Sequence, residues 1–211
     1  MKAFVVSEID GQLWCEVGET TAVARDESDV LVKVNFSGVN YKDAMVARAP
    51  SQVRRVSSLV GGVDAAGIVE RSRNPELARG DRVAVHGGSL GVGRDGGFAS
   101  HVYAPARYIS PLPSSLSTYD AMVIGTAGFA AMASVLALED RGLERGAQVL
   151  VTGATGGVGS QAVTYLAISN ALGRPNVYDW RYSSDYAVRH NVASIFNRSI
   201  YFGGVLTLTR P

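Results

Sequence analysis

The 211-residue chain is 46% apolar and 18% charged, so it can bury a core and is not composed to stay disordered. Twenty Lys and Arg against nineteen Asp and Glu leave a net charge of +1 with no basic block, which excludes an electrostatic footprint for nucleic acid. The single cysteine, Cys15, excludes an internal disulfide framework and a multi-cysteine zinc site.

In chain order, the opening Met-Lys-Ala-Phe-Val-Val-Ser-Glu has neither the length nor the cleavage pattern of a signal peptide, and a cytoplasmic protein is expected. Short apolar or alternating runs bounded by turn formers predict strands at 2–7, 12–17, 29–38, 67–70, 81–85 and 97–103. Many short strands of this kind suggest a barrel or sandwich. A short helix is expected to begin near Tyr41, within Lys42–Arg48. Pro111-Leu-Pro113 closes the strand-rich region, and Thr118 with Asp120 offers helix-start chemistry. Ala121–Leu138 then runs uncharged for eighteen residues, the length of a membrane span. Ala, Gly, Ser and Thr carry it, without flanking basic or aromatic anchors, so it reads as a helix buried in a soluble domain and no membrane is expected.

An apolar strand, Val149–Thr152, runs straight into Gly153-Ala-Thr155-Gly156-Gly157-Val158-Gly159, and a helix is predicted over Ser160–Ser169. Strand, glycine turn and helix in that order open a βαβ unit. Glycine lets the backbone approach a pyrophosphate, and the helix start offers it unpaired N–H groups and a positive dipole end. Gly153 would allow the turn, Gly156 and Gly157 the close approach, and Gly159 tight helix packing. No Lys follows the last glycine, so this is not a triphosphatase phosphate loop. Asp179 lies where an acid would bind a ribose 2′-hydroxyl; Arg181 and Ser183 just beyond would suit a 2′-phosphate, and spacing does not choose between them. Plain surface residues are an equal reading of all three. From about residue 170 the text changes: 170–211 holds no Lys or Glu but five Arg, four Tyr and four Asn, with short strands expected at 176–180 and near 204–208.

Six blocks carry a family likeness: SGVNYKDAM at 37–45, GGVDAAGIVE at 61–70, GDRVAVHGG at 80–88, GGFASHVYAPA at 96–106, MVIGTAGFAAM at 122–132 and VLVTGATGGVGS at 149–160. In this order and spacing, residues 1 to about 168 resemble the medium-chain dehydrogenase/reductases. Within them the zinc-free quinone oxidoreductase branch is most similar, and its acryloyl-CoA reductase subgroup above all. The resemblance implies an α/β protein with a large β part. A GroES-like β-barrel over 1–117 would lead into an incomplete Rossmann domain of parallel βαβ type, opening over 118–168. A divergent tail, 169–211, would supply one or two remaining strands. Members of the family are considerably longer than this chain.

The same resemblance implies NADPH as cofactor, a small-molecule substrate and a homodimer. Tyr41 would lie against the cofactor, Thr126 would line the cleft, and Thr155, Gly156, Gly157 and Val158 would hold the phosphates between Gly153 and Gly159. Tyr41 is the candidate to orient the substrate or donate to it, with Asn40 and Asp43 shaping the pocket floor. No metal is expected: where zinc enzymes of the superfamily carry Gly-His-Glu, this chain reads Gly62-Val63-Asp64, and Cys15, His86, His101 and His190 show no paired ligand spacing. The expected reaction is hydride transfer to a conjugated double bond of an enoyl thioester, or to a quinone. The alternative is a non-catalytic remnant that binds a partner or self-associates.

Overall fold

The computed structural model describes residues 1–144, 147–172 and 206–208. It divides into two compact units, Met1–Thr126 and Ala127–Pro211.

The first unit opens with a hairpin of β1 (Lys2–Ile9) and β2 (Gln12–Glu19), paired without slip from Lys2↔Glu19 to Ile9↔Gln12. Asp10 and Gly11 close it at φ 51° and 75°. Two positive φ values make the tight turn whose twist matches that of the flanking strands, and an Asp-Gly pair tolerates them. β4 (Ser58–Val60) pairs with the other side of β1.

A second, five-stranded sheet has the order β7-β3-β5-β6-β8, with all its pairs antiparallel. Its members are β3 (Asp29–Phe36), β5 (Asp64–Arg71), β6 (Arg82–His86), β7 (His101–Pro105) and β8 (Ile109–Pro111). The alternation of β3 decides its faces: Val30 and Val32 are fully buried while Lys33 is exposed. They join Ala65, Val69, Val83, Val85, Leu90 and Val102 in one core. Each such β-branched side chain stabilises by about 1.5–3 kcal/mol and packs well on a pleated surface. The register of β3 on β5 slips between Val34 and Phe36, a bulge that bends the sheet. Phe4 N–H donates to Phe98 O at 2.8 Å and Ser100 N–H to Lys2 O at 3.2 Å, joining β1 to the segment that leads into β7 and so the two sheets into a curled β-body.

Two glycine pairs make that joint possible. Gly97 and Phe98 donate to Gly62 O and Gly61 O, each at 2.9 Å, so the two backbones lie face to face. At Gly62 (φ 97°) a Cβ would stand 2.6 Å from Phe98 N. The turn into helix α1 (Tyr41–Val46) follows β3.

Helix α2 (Thr118–Glu139) is capped by Ser117, whose hydroxyl accepts from Asp120 N–H at 3.1 Å while the Asp120 carboxylate accepts Ser117 N–H at 3.1 Å. This is a reciprocal cap, and the helix itself begins at Thr118, where the sequence placed helix-start chemistry. Gly125 interrupts the helix at φ 51°, ψ −162°. α2 has the length and mean hydropathy (2.0) of a membrane span, but 44% of its most apolar stretch is buried within the protein.

In the second unit β9 (Val149–Val151) leads through a turn to α3 (Gly157–Leu172). β10 (Leu206–Leu208), within the strand expected near 204–208, pairs antiparallel with β9 through Leu206↔Val151. The parallel neighbour expected for β9 is not found among the described residues. Asp179, Arg181, Ser183 and the strand expected at 176–180 lie outside the described residues. Helix α3 begins three residues before the expected Ser160, taking Gly157, Val158 and Gly159 into its first turn.

Candidate functional site

In the first unit the site is built around Asp64, the first residue of β5, with no exposed surface. Its Oδ1 accepts Gly38 N–H at 2.8 Å; its Oδ2 accepts Asn40 Nδ2 at 3.0 Å and Thr126 N–H at 3.1 Å. Ser37 Oγ donates to the Asp64 carbonyl at 2.6 Å. One side chain thereby ties the loop before α1 to the break in α2. Glycine is required on both sides of the carboxylate. A Cβ on Gly38 would stand 2.9 Å from Oδ1, and one on Gly125 would stand 3.2 Å from Oδ2. The Thr126 hydroxyl is buried and has no hydrogen-bond partner among the described residues.

Asp43 sits in the first turn of α1, buried, where its carboxylate accepts Asn40 N–H at 2.7 Å and Val63 N–H at 2.9 Å. Asn40 and Asp43 thus form a capping box. Burial pushes the Asp43 carboxyl above its ordinary range; the two backbone donors pull it down and the Asp64 charge adds to the rise. Asp43 therefore builds the loop through accepted hydrogen bonds. Tyr41, at the head of α1, is 75% exposed. Lys42, beside it, is held below the usual ammonium range, first by desolvation and then by the Arg55 charge. His86 lies opposite Asp64 in the β5–β6 pair; burial pushes its imidazole down, opposed by the Asp64 charge.

In the second unit the glycine turn has the geometry its spacing predicts. Gly153 takes φ 63°, Gly156 N–H returns to Gly153 O at 2.9 Å, and Ser160 N–H reaches Gly156 O at 2.9 Å. A Cβ on Gly159 would overlap the Gly153 carbonyl oxygen, so the helix start rests directly on the turn. The N–H groups of Gly157, Val158 and Gly159 lie in the first turn of α3, where no carbonyl of a preceding turn can accept them. That is the donor set an anion needs.

The structure brings Asn40 and Thr126 together through Asp64 and ties Asp43 to Asn40 and Val63, with Tyr41 exposed at the head of α1. Gly153, Thr155, Gly156, Gly157, Val158 and Gly159 share the turn of the other unit. Sequence reasoning did not single out Asp64 or His86 as parts of the site. The available signal was an acid at the head of the apolar run Asp64-Ala-Ala-Gly-Ile-Val69, since a carboxylate in a buried strand needs partners. Among the described residues no three His, Cys, Asp or Glu side chains are grouped to hold a metal ion, and Cys15 is exposed on β2.

Residues 26–114 match the family described as the alcohol dehydrogenase GroES-like domain. The chain is 43% identical over 181 residues to a Bacillus subtilis (strain 168) relative bearing the name quinone oxidoreductase YhfP, covering 84% of this chain and 54% of that protein. The structure of YhfP with NAD bound superposes with a TM-score of 0.76 at 40% identity, over 80% of this chain and 52% of that one. The acrylyl-CoA reductase AcuI of Ruegeria pomeroyi is 40% identical over 178 residues, covering 78% of this chain and 54% of AcuI. The YhdH oxidoreductase of Salmonella enterica, solved in complex with NADP, gives a TM-score of 0.72 at 36% identity, over 79% of this chain and 52% of that one. The chain spans about half the length of the curated relatives it matches. With a GroES-like domain, a curled sheet and these relatives, it belongs to the medium-chain dehydrogenase/reductase superfamily.

Proposed function

We propose that the chain carries the barrel and the first cofactor-binding turn of a cytoplasmic, NADPH-dependent, zinc-independent reductase. Its substrate would be a conjugated double bond of an acryloyl-CoA-like enoyl thioester, or a quinone. Residues 1–117 would serve as the catalytic domain, 118–168 as the opening of the NADP-binding domain and 169–211 as its divergent continuation. The observation that carries the reading is the turn itself: Gly153 at positive φ, Gly159 packed directly on the Gly153 carbonyl, and the first-turn amides of Gly157, Val158 and Gly159 with no carbonyl of a preceding turn to accept them. These features fit the diphosphate of a dinucleotide. Relatives solved with NAD and with NADP support it.

When bound, the reduced nicotinamide would supply the hydride. The chain's residues would do the rest. Thr155, Gly156, Gly157 and Val158 would hold the diphosphate, Thr126 would offer its hydroxyl to the cofactor, and Asn40 and Asp43 would fix the pocket floor. Tyr41, exposed at the head of α1, would orient the substrate or donate its phenolic O–H to the substrate atom on which negative charge develops. Zinc has no place in this scheme, since Val63 stands where zinc relatives carry a ligand histidine. Homodimer formation belongs to the same proposal.

Titrating NADPH against the pure chain while following nicotinamide fluorescence tests it. Saturable enhancement is expected in the micromolar range, of order 1–100 μM. No change at about 1 mM, a free energy no better than roughly −4 kcal/mol, would leave the non-catalytic binding or self-associating module as the better reading.

A further inference from the structure

We propose that Asp64 is the positioning residue of the candidate site: its side chain clamps the Gly38–Asn40 loop to the Gly125–Thr126 break, and so sets how Asn40 and the Thr126 hydroxyl meet a ligand. Three observations converge on it. The carboxylate is wholly buried and accepts from three donors that lie 26, 24 and 62 residues away in sequence. Glycines 38 and 125 stand against its two oxygens: a Cβ would overlap Oδ1 at Gly38 and press on Oδ2 at Gly125. Thr126 meets Asp64 through its N–H, yet its hydroxyl, also buried, lacks a partner among the described residues.

A carboxylate can only accept, so Asn40 must turn its Nδ2 toward Asp64. The amide is therefore locked in one of its two orientations, with a second Nδ2 hydrogen left to donate. Thr126 is locked likewise, because its N–H donates to Asp64 instead of to a helical carbonyl. A ligand reaching this point meets one fixed donor and one hydroxyl that can donate or accept. A primary carboxamide, such as that of nicotinamide, complements that pair. The proposal thus rests, for its ligand, on the function proposed above, and the clamp itself does not.

Two measurements on the 211-residue chain test it. In native-state hydrogen exchange, Asp64→Asn should lower protection of the Gly38 and Thr126 amides at least about tenfold, with the core amides of Val83 and Val102 unchanged. Unchanged protection at Gly38 and Thr126 would overturn the clamp. In titrations, the same variant should bind NADPH about tenfold more weakly and adenosine 2′,5′-bisphosphate as well as the wild type does, because only NADPH has a nicotinamide half to meet Asn40 and Thr126. Equal weakening of both ligands, or of neither, would overturn the positioning role. A wild-type chain that binds neither ligand sinks the proposed function, and the exchange result then decides the clamp alone. Should Asp64→Asn not fold, Asn40→Ala, which takes one of the three donors from the carboxylate, replaces it: protection at Gly38 should fall and NADPH alone should bind more weakly, and no change in either would overturn the proposal.

Discussion

Tyr41 is exposed and His86 half-buried, and their side chains should respond to substitution in different ways. Tyr41 is 75% exposed, so Tyr41→Phe should alter unfolding free energy by no more than about 0.5 kcal/mol in urea titration. If its phenol donates to the substrate, turnover should nonetheless fall roughly 100-fold, read as kcat with KM little changed. Unaltered turnover in a well-folded variant removes the phenol from that role. His86 works through stability. Desolvation holds its imidazole below the ordinary value of 6.5, so the unfolded chain takes up the proton first as pH falls. The stability this group contributes is present above that ordinary value and is lost as pH drops through it toward the lowered one. Thermal midpoints of the wild type should therefore fall between about pH 7.5 and 5.5, and His86→Asn should lose less over the same interval. Parallel decline in both proteins would refute the assignment.

The elements show where sequence reasoning succeeds and where it stops. β3 was legible because Val30, Val32 and Lys33 alternate between core and solvent over a full strand. β4 and β8 were not, because three residues each give too short a run for a period to show. α3 was found, but its start was set late: glycine signals a turn, while here Gly157 and Gly159 also lie within the first helical turn. The glycine turn was readable from local chemistry alone. The Asp64 clamp was not, since its partners come from three separate segments and no local spacing encodes their meeting. α2 offers the sharpest test at this scale. Gly125 occupies φ 51°, ψ −162°, a region essentially closed to residues with a Cβ. Gly125→Ala should destabilise the chain by about 1–3 kcal/mol in urea unfolding and weaken exchange protection at Thr126. In contrast, Gly142→Ala has open space around the added Cβ, so only its own backbone preference (φ 87°) is at stake. A Gly125 variant no less stable than the Gly142 one would mean the break in α2 is not needed.

For the molecule as a whole, the near balance of charge is the governing quantity. With a net charge of +1 and a sequence isoelectric point near 7.9, the chain has little self-repulsion around neutral pH. Trp14, Val17 and Ile9 on the first hairpin add exposed apolar surface, at 58%, 64% and 60%. Solubility should be lowest close to pH 8 and should rise on moving about two pH units to either side, as light scattering across a pH series would show. A flat profile would mean that charge does not limit association. The Asp10-Gly11 turn has a further outcome, which concerns the order of assembly. Because it joins β1 to β2 with no intervening loop, the hairpin can close within about 1–10 μs, long before the chain past residue 90 is placed. The pairing of β1 with β4 and the bond from Phe4 to Phe98 must wait for distant segments to arrive. Sequence separation slows such closures, so this small ribbon is available as an early template on which the rest of the barrel condenses.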